Sequence, residues 1–260
     1  MQALSSRDNP RYKEWKRLAT SAQERARAGL TLLDGVHLCQ GWLERCGQPV
    51  ACLVAAEALA HPEVAGLLPR VEARRVFVLE DKLFGPLAQV GHGVPLLFVV
   101  TVPRPVLPEP LTTPCVLLDR VQDPGNLGSI LRSAAAAGIE HVLCSPGCVA
   151  AWSPRVLRAG MGAHFHVQVH EDCNLASAIS TLARGAGPVL ATSSHADAQL
   201  FARDVRTASW LFGNEGQGVD AALLGAGVQT VAIPQPGGME SLNVAAAAAV
   251  CLFEQVRQRA

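Results

Sequence analysis

Five short apolar runs in the second half of the chain constrain its fold more than any other feature. They read CVLLD (115–119), HVLC (141–144), VLAT (189–192), WLFG (210–213) and VAI (231–233). Continuous apolar strands that alternate with helix-length segments are typical of a parallel sheet with helices on both faces. Such sheets bind ligands at the carboxyl ends of their strands, so we expect chemistry just after Asp119, Thr192, Gly213 and Ile233.

A proline-rich segment divides the chain into two predicted domains. Residues 103–114 belong to the stretch VPRPVLPEPLTTP, which has the composition of a semi-rigid linker. Residues 1–102 are predicted to form a small α/β domain, with strands at CLV, VFVL and PLLFVV, and residues 115–260 a larger α/β domain. A chain of 260 residues with 49% hydrophobic residues can bury a core in each.

A basic helix is predicted near the start of the chain. Asn9 and Pro10 suit an N-cap and a first helical position, and Gly29 suits the end. Apolar residues recur at helical spacing: Trp15, Leu18 and Ala22. Lysines and arginines outnumber acidic residues between Arg7 and Arg27, although the whole chain has a net charge of +0. A solvated helix face and an RNA-binding surface explain this excess equally well.

The cysteine pattern favours a reduced environment. The eight cysteines are scattered through apolar segments and form no CxxC pair. No segment resembles a secretion signal or an uninterrupted membrane span. We therefore expect a soluble, cytoplasmic protein with no membrane partner.

The segment VQDPGNLGSILRSAAAAG (121–138) places one arginine on a helix of small and apolar residues. Its DPG tripeptide is predicted to make a turn, and Asn126 to cap the helix that follows. The predicted core stripe consists of Leu127, Ile130, Leu131 and Ala134. Arg132 lies on another face, one turn from Gly128 and from Ala136. From these residues alone, a surface ion pair explains Arg132 slightly better than a functional role does.

A second loop, LFGNEGQGV, contains Gly213, Gly216 and Gly218 around Asn214 and Glu215. Three glycines allow a backbone to approach a ligand closely, and a tight turn without a ligand is the alternative. The loop matches neither a P-loop nor a dinucleotide fingerprint, so it gives little support for a nucleotide phosphate.

A third loop, IPQPGGMESLN, is followed by an alanine-rich segment. Ser241 or Asn243 is predicted to start a helix there. The run Ala245–Ala249 gives this helix a smooth surface. That surface suits packing against a second subunit and packing in the chain's own core equally well.

The three loops, in this order and spacing, resemble the three signature motifs of the SpoU/TrmH branch of the SPOUT RNA methyltransferases. The resemblance covers residues 115–259. The opening segment, residues 6–38, is similar to the family's N-terminal substrate-binding domain, with Asp34 where glutamate is expected. In some relatives a serine follows the Asn-Val pair, where this chain has Ala245.

The resemblance implies a mostly parallel α/β fold with a C-terminal trefoil knot, an RNA-binding N-terminal domain and a homodimer. It implies transfer of a methyl group from S-adenosylmethionine to a ribose 2′-hydroxyl of structured RNA. Catalytic roles would fall, by motif position, on Asn126, Arg132, Glu215, Ser241 and Asn243. Cofactor contacts, largely through backbone groups, would fall on Thr192, Gly213, Ile233 and Leu242.

Several alternatives remain at this point. The separate N-terminal domain favours ribosomal RNA of the large subunit over transfer RNA. A non-catalytic RNA-binding relative and a nucleotide-binding enzyme are rival functions, which a cofactor titration distinguishes. A metal is not expected, because the histidines of AHFHVQVH lack a ligand-set spacing and better suit a strand at the rim of the sheet. Arg132 is expected to act as a phosphate-gripping group rather than as a base.

Overall fold

The strands form where the sequence places its apolar runs. A computed structural model describes residues 1–88 and 93–260. The strands are β1 (Gln2–Leu4), β2 (Leu30–Asp34), β3 (Ala51–Ala55), β4 (Val76–Leu79), β5 (Leu96–Thr101), β6 (Cys115–Leu118), β7 (His141–Cys144), β8 (Gln168–His170), β9 (Val189–Thr192), β10 (Ser209–Phe212) and β11 (Gln229–Val231). The helices are α1 (Pro10–Thr20), α2 (Ala22–Ala28), α3 (Val36–Arg45), α4 (Pro62–Leu67), α5 (Asp81–Phe84), α6 (Pro124–Ala136), α7 (Pro154–Gly160), α8 (Leu175–Gly185), α9 (Ala221–Leu224) and α10 (Val244–Arg259).

Internal contacts divide the chain into two units. The first comprises Met1–Pro103 and Trp152–Phe165, and the second comprises Arg104–Ala151 and His166–Ala260. The segment Trp152–Phe165, which contains α7, therefore groups with the N-terminal residues. The sequence-based division had placed this segment in the C-terminal domain.

The first unit contains a five-stranded mixed sheet in the order β1-β4-β3-β5-β2. Strand β5 runs antiparallel to both β2 and β3, whereas β4 is parallel to β1 and β3. The three predicted strands are confirmed as β3, β4 and β5. Strands β1 and β2 were not predicted, although the residues LTLLD of β2 are largely buried.

The predicted N-terminal helix is two helices, because Ser21 interrupts it. Ser21 has an extended backbone, and its side chain accepts a hydrogen bond from the N–H of Glu24, which makes it the N-cap of α2. Ala22 is exposed, so its assignment to the apolar stripe was wrong. The Asn9 cap and the stop at Gly29, with φ of +64°, are confirmed.

The second unit contains a six-stranded sheet in the order β11-β9-β10-β6-β7-β8. Every neighbouring pair is parallel. The five predicted strands are confirmed within two residues at each end, and β8, from the segment AHFHVQVH, lies at one edge. The result is a mixed α/β fold with a parallel sheet and helical connections.

Helix α6 begins differently from the prediction. Asp123 is its N-cap and accepts a hydrogen bond from the N–H of Asn126, with Pro124 in the first turn. The expectation that Asn126 caps the helix was therefore wrong, and its side chain is free for other contacts. The predicted core stripe is confirmed as buried: Leu127, Ile130, Leu131 and Ala134.

Asn243 is the N-cap of helix α10, and its side chain accepts hydrogen bonds from the N–H groups of Ala245 and Ala246. The helix packs against α6 and β10. Ala247 and Ala248 are buried in this chain, whereas Ala246 is exposed. Part of the alanine run thus serves the chain's own core.

Candidate active site at the carboxyl edge of the parallel sheet

Four loops start at one edge of the second sheet. Strand β10 pairs with β9 and β6, and β11 pairs with β9. Because these strands are parallel, their carboxyl ends meet, and Asp119, Thr192, Gly213 and Ile233 lie at or just beyond those ends. The structure therefore brings the starts of the three sequence motifs to the edge where ligands of such sheets bind.

The Glu215 carboxylate joins the second loop to the first. Its Oε1 accepts hydrogen bonds from the N–H of Asp123 and from Nδ2 of Asn126, both at 3.0 Å, and its Oε2 accepts one from the N–H of Gln122 at 3.2 Å. Burial alone would raise the pKa of Glu215, but these hydrogen bonds bring it below its ordinary value. Glu215 is therefore an ionised acceptor near neutral pH.

Two asparagines extend this connection to the third loop. Oδ1 of Asn126 accepts a hydrogen bond at 2.9 Å from Nδ2 of Asn243. Oδ1 of Asn243 in turn accepts from the N–H groups of Ala245 and Ala246 at 2.9 and 3.2 Å. Each amide thus has its donor and acceptor ends fixed, and one hydrogen-bonded chain runs from Glu215 to the start of α10.

The second loop is held in shape by Asn214. Its Oδ1 accepts hydrogen bonds from the N–H groups of Gly216 and Gln217, both at 3.0 Å. Its backbone exchanges two hydrogen bonds with Gly218. Its Nδ2 donates to the carbonyl of Arg120 at 3.0 Å. The loop is therefore a closed turn that is anchored to the first motif.

Gly213 has no room for a side chain. A Cβ atom there would lie 2.2 Å from the carbonyl carbon of Gly218 and 2.2 Å from the nitrogen of Val219. Both are backbone atoms, so neither can rotate away. The close approach at Gly213 is thus between two arms of the same loop, as in the tight-turn alternative, and the approach to a ligand stays a prediction.

Arg132 is exposed on α6. Within residues 1–88 and 93–260 it has no hydrogen bond or ion pair. The ion-pair explanation therefore finds no support among these residues. Arg132 lies about 120° around the helix axis and about 9 Å along it from Asn126. The structure does not bring Arg132 into the hydrogen-bonded chain.

The remaining predicted residues lie near the sheet edge without joining that chain. Ser241 is exposed, and Leu242 is 40% exposed. Thr192 and Ile233 are partly buried, at the end of β9 and just after β11. Of the five predicted catalytic residues, hydrogen bonds link Asn126, Glu215 and Asn243.

A sequence model of the SpoU rRNA methylase family matches residues 113–253. This range includes all three loops and the sheet from which they start. The chain belongs to the SpoU rRNA methylase family.

Relatives in the SpoU family resemble this chain over nearly its whole length. The 23S rRNA (guanosine(2553)-2′-O)-methyltransferase RlmP of Bacillus subtilis is 32% identical, over 97% of this chain and 98% of that protein. A 23S rRNA (uridine(2479)-2′-O)-methyltransferase of Streptomyces viridochromogenes is 30% identical, over 96% and 91%. The crystal structure of the SpoU methyltransferase AviRb from that organism, in complex with AdoMet, superposes with a TM-score of 0.85 at 29% identity, over 96% and 98% of the two chains.

Sequence reasoning missed a polar cluster beside these loops. Asp119 is buried, and its carboxylate accepts hydrogen bonds from the side chain of Arg120 and from the N–H of Asp220. An acidic residue followed by a basic one directly after a buried strand was the available signal. In the described part of the chain, no group of three or more His, Cys, Asp or Glu side chains is placed to hold a metal. No described helix is long and apolar enough to span a membrane.

Proposed function

We propose that the protein transfers a methyl group from S-adenosylmethionine to a ribose 2′-hydroxyl of ribosomal RNA. The observation that carries this proposal is the hydrogen-bonded chain of Glu215, Asn126 and Asn243, which joins all three motifs in a member of the SpoU family. RlmP and the 30%-identical protein of Streptomyces viridochromogenes are 2′-O-methyltransferases of 23S rRNA, which favours the large ribosomal subunit.

The sheet edge fits a compact cofactor that backbone groups hold. Gly213 allows two arms of the loop to approach each other closely. Oε1 of Gln235, in the third loop, is buried and has no hydrogen-bond partner among the described residues. A buried acceptor without a hydrogen bond destabilises the folded protein, and a bound ligand would supply the missing donor. We assign cofactor contacts to Thr192, Gly213, Ile233 and Leu242.

We assign different roles in the reaction to different residues of the site. S-adenosylmethionine, when bound, supplies an electrophilic methyl group on its sulfonium. Glu215 is a positioning residue, because its oxygens are occupied by three N–H donors. Asn126 and Asn243, held in one orientation each, fix the first motif against the start of α10. Ser241 carries an exposed hydroxyl that can contact the ribose.

Arg132 is assigned an electrostatic role. A guanidinium stays protonated in proteins, so it cannot accept the proton of the hydroxyl. Its planar fork of donors can bind a backbone phosphate in two places and stabilise charge on the neighbouring ribose oxygen. The proton then passes to a phosphate oxygen or to water. Arg132 is suited to this role because it is exposed and has no described partner.

The finer features of the fold are also proposals. We infer a trefoil knot in the C-terminal domain, which the family resemblance implies. We also infer that the protein acts in the cytoplasm, because relatives such as RlmP of Bacillus subtilis are bacterial rRNA methyltransferases.

Mapping of methylated riboses tests the reaction and its substrate. Ribosomal and transfer RNA from a strain without this gene should lack one 2′-O-methyl group, and the purified protein with S-adenosylmethionine should restore it. Restoration in 23S rRNA is the expected result. A missing methyl group in transfer RNA instead would overturn the assignment of the substrate, and no missing group in either would overturn the activity.

RNA binding by the first unit gives a salt-dependence prediction. Arg7 and Lys16 are exposed and have no described ion pair, in contrast to Lys13, which pairs with Asp8 at 2.9 Å. The double variant Arg7→Ala/Lys16→Ala should weaken RNA binding. It should also lower the slope of log Kd against log salt by roughly 0.7–0.9 for each RNA phosphate that the variant no longer neutralises. Filter binding between low and moderate salt measures both quantities.

The control for this variant is Arg74→Ala. Arg74 belongs to the same unit, but Nε binds Glu72 at 2.7 Å. The Arg74→Ala variant should therefore leave the slope of log Kd against log salt unchanged. An unchanged slope in the double variant as well would remove these residues from the RNA surface.

A homodimer through α6 and α10 is also proposed. Ala246, Val250 and Phe253 follow each other at helical spacing, and Phe253 is 50% exposed. Phe253→Glu should turn a dimer into a monomer at micromolar concentration, as sedimentation velocity would show. Phe201→Glu, at an exposed phenylalanine outside α10, is the matched control and should remain dimeric. A monomeric wild-type protein would reject the dimer.

A further inference from the structure

Arg120 has an unusual backbone for its residue type. It is the second residue after β6, and its φ is +52°, in the left-handed region where glycine is favoured and a long side chain is not. Glycine would fit this conformation better than arginine. The side chain of Arg120 must therefore be explained by the contacts that it makes.

The guanidinium of Arg120 contacts both the sheet edge and the second loop. Its Nε and Nη2 donate to the two oxygens of the Asp119 carboxylate, each at 3.0 Å. Its Nη1 donates to Oε1 of Gln217 at 3.2 Å, and Nη2 lies 3.7 Å from Oδ2 of Asp220. Asp119 is itself buried and accepts from the N–H of Asp220 at 2.9 Å.

The backbone of Arg120 makes two further contacts to neighbouring loops. Its N–H donates to Oγ of Ser145 at 3.0 Å, and its carbonyl accepts from Nδ2 of Asn214 at 3.0 Å. With the side-chain contacts, Arg120 thus reaches the beginning, middle and end of the loop between Gly213 and Asp220. Glu215 holds this same loop from the other side, through the first motif.

We propose that Arg120 is a positioning residue that fixes the second loop in its cofactor-binding shape. This inference rests on the proposed function, and it adds a residue outside the predicted set. The guanidinium fork ties Gln217 to the buried Asp119, so the loop reaches its binding shape before the cofactor arrives. A loop that is ordered in advance binds more tightly, because less conformational freedom is lost on binding.

Arg120→Gly removes the side chain but keeps the backbone conformation, because glycine readily adopts the same positive φ. The variant therefore tests the contacts of the guanidinium alone. The variant should raise the Kd for S-adenosylmethionine and its KM by about tenfold, the effect of losing a charge-assisted hydrogen bond. The kcat at saturating cofactor and the KM for RNA should stay close to wild type. Calorimetric titration and steady-state methyl transfer measure these quantities, well below the unfolding temperature of each variant.

Gln217→Ala is a milder variant that keeps the fork on Asp119 and removes only the hydrogen bond from Arg120 to the middle of the loop. It should raise the cofactor Kd about threefold, and it tests the inference even if Arg120→Gly fails to fold. Arg206→Ala is the matched control, because Arg206 forms the same kind of fork on Asp204 but lies before β10, at the opposite end of that strand from Gly213. It should leave the cofactor Kd unchanged.

The outcomes separate this inference from the proposed function. A wild-type protein that does not bind S-adenosylmethionine would overturn the proposed function itself. Wild-type binding with an unchanged Kd in Arg120→Gly and Gln217→Ala would overturn the role of Arg120 alone. A variant that loses kcat and thermal stability at unchanged cofactor KM would show that Arg120 serves folding only.

Discussion

Gly213→Ala is expected to abolish methyl transfer by weakening cofactor binding about a hundredfold or more. The new Cβ would lie 2.2 Å from backbone atoms of Gly218 and Val219, so the loop must open to admit it. Overpacking of this kind typically costs about 1–3 kcal/mol. Opening also shifts the residues that follow, including Glu215, whose contacts at 3.0–3.2 Å then cannot all persist. Calorimetric cofactor titration and single-turnover transfer measure the two losses.

Gly216→Ala is the control in the same loop. A Cβ at Gly216 has its nearest neighbour, Oδ1 of Asn214, at 3.7 Å, which is an ordinary contact. Cofactor affinity and transfer should stay within a few-fold of wild type in this variant. Cofactor binding by Gly213→Ala at wild-type affinity would show that the shape of this loop does not matter to the cofactor.

The sheet was predictable because its strands are buried on both faces. Runs such as HVLC and VLAT contain few polar residues, so their boundaries follow from composition alone, and β7 and β9 match the prediction residue for residue. Strand order does not follow from such runs. It depends on pairing between distant segments, as between β10 and β9, which carries no local signal.

Local capping chemistry was predictable only in part. Asp123 and Asn126 both suit a helix start, and Asn126 was the predicted cap. The structure uses Asp123, because Pro124 fits the first turn and needs no hydrogen-bond partner for its nitrogen. This choice matters for the site, since it leaves the Asn126 amide to bind Glu215 and Asn243.

The contacts that assemble the site were beyond sequence reasoning. Glu215 and Asn126 are 89 residues apart, and Asn126 and Asn243 are 117 apart. The family resemblance named these residues but not the order in which they bind each other. Arg120 was missed, because its place directly after Asp119 indicates neither its positive φ nor its hydrogen bond to Gln217.

Arg132→Lys is expected to reduce methyl transfer by roughly a hundredfold or more, the scale seen on removing one preorganised electrostatic donor. Lysine keeps the charge but loses the planar fork, so it cannot bind a phosphate in two places. Cofactor affinity should stay close to wild type, because the loops at Gly213 and Ile233 are assigned those contacts. The melting temperature should also hold, since Arg132 is exposed and has no partner to lose among the described residues. Single-turnover transfer to the mapped RNA, with calorimetric cofactor binding, gives both quantities.

Arg257→Lys supplies the matched comparison for an arginine in an ion pair. Arg257 is on the other long helix of the site region, α10, and its Nε and Nη2 bind the Glu254 carboxylate at 2.7 and 2.8 Å. Lysine keeps the positive charge beside the buried Glu254 carboxylate, and Arg257 has no hydrogen bond or ion pair with the described residues of the three motifs, so transfer should be nearly normal in this variant. If Arg132→Lys behaved in the same way, the phosphate-gripping role would be wrong. If instead it lost cofactor binding, Arg132 would belong to the cofactor site, and the RNA backbone would need another cation to hold it during transfer.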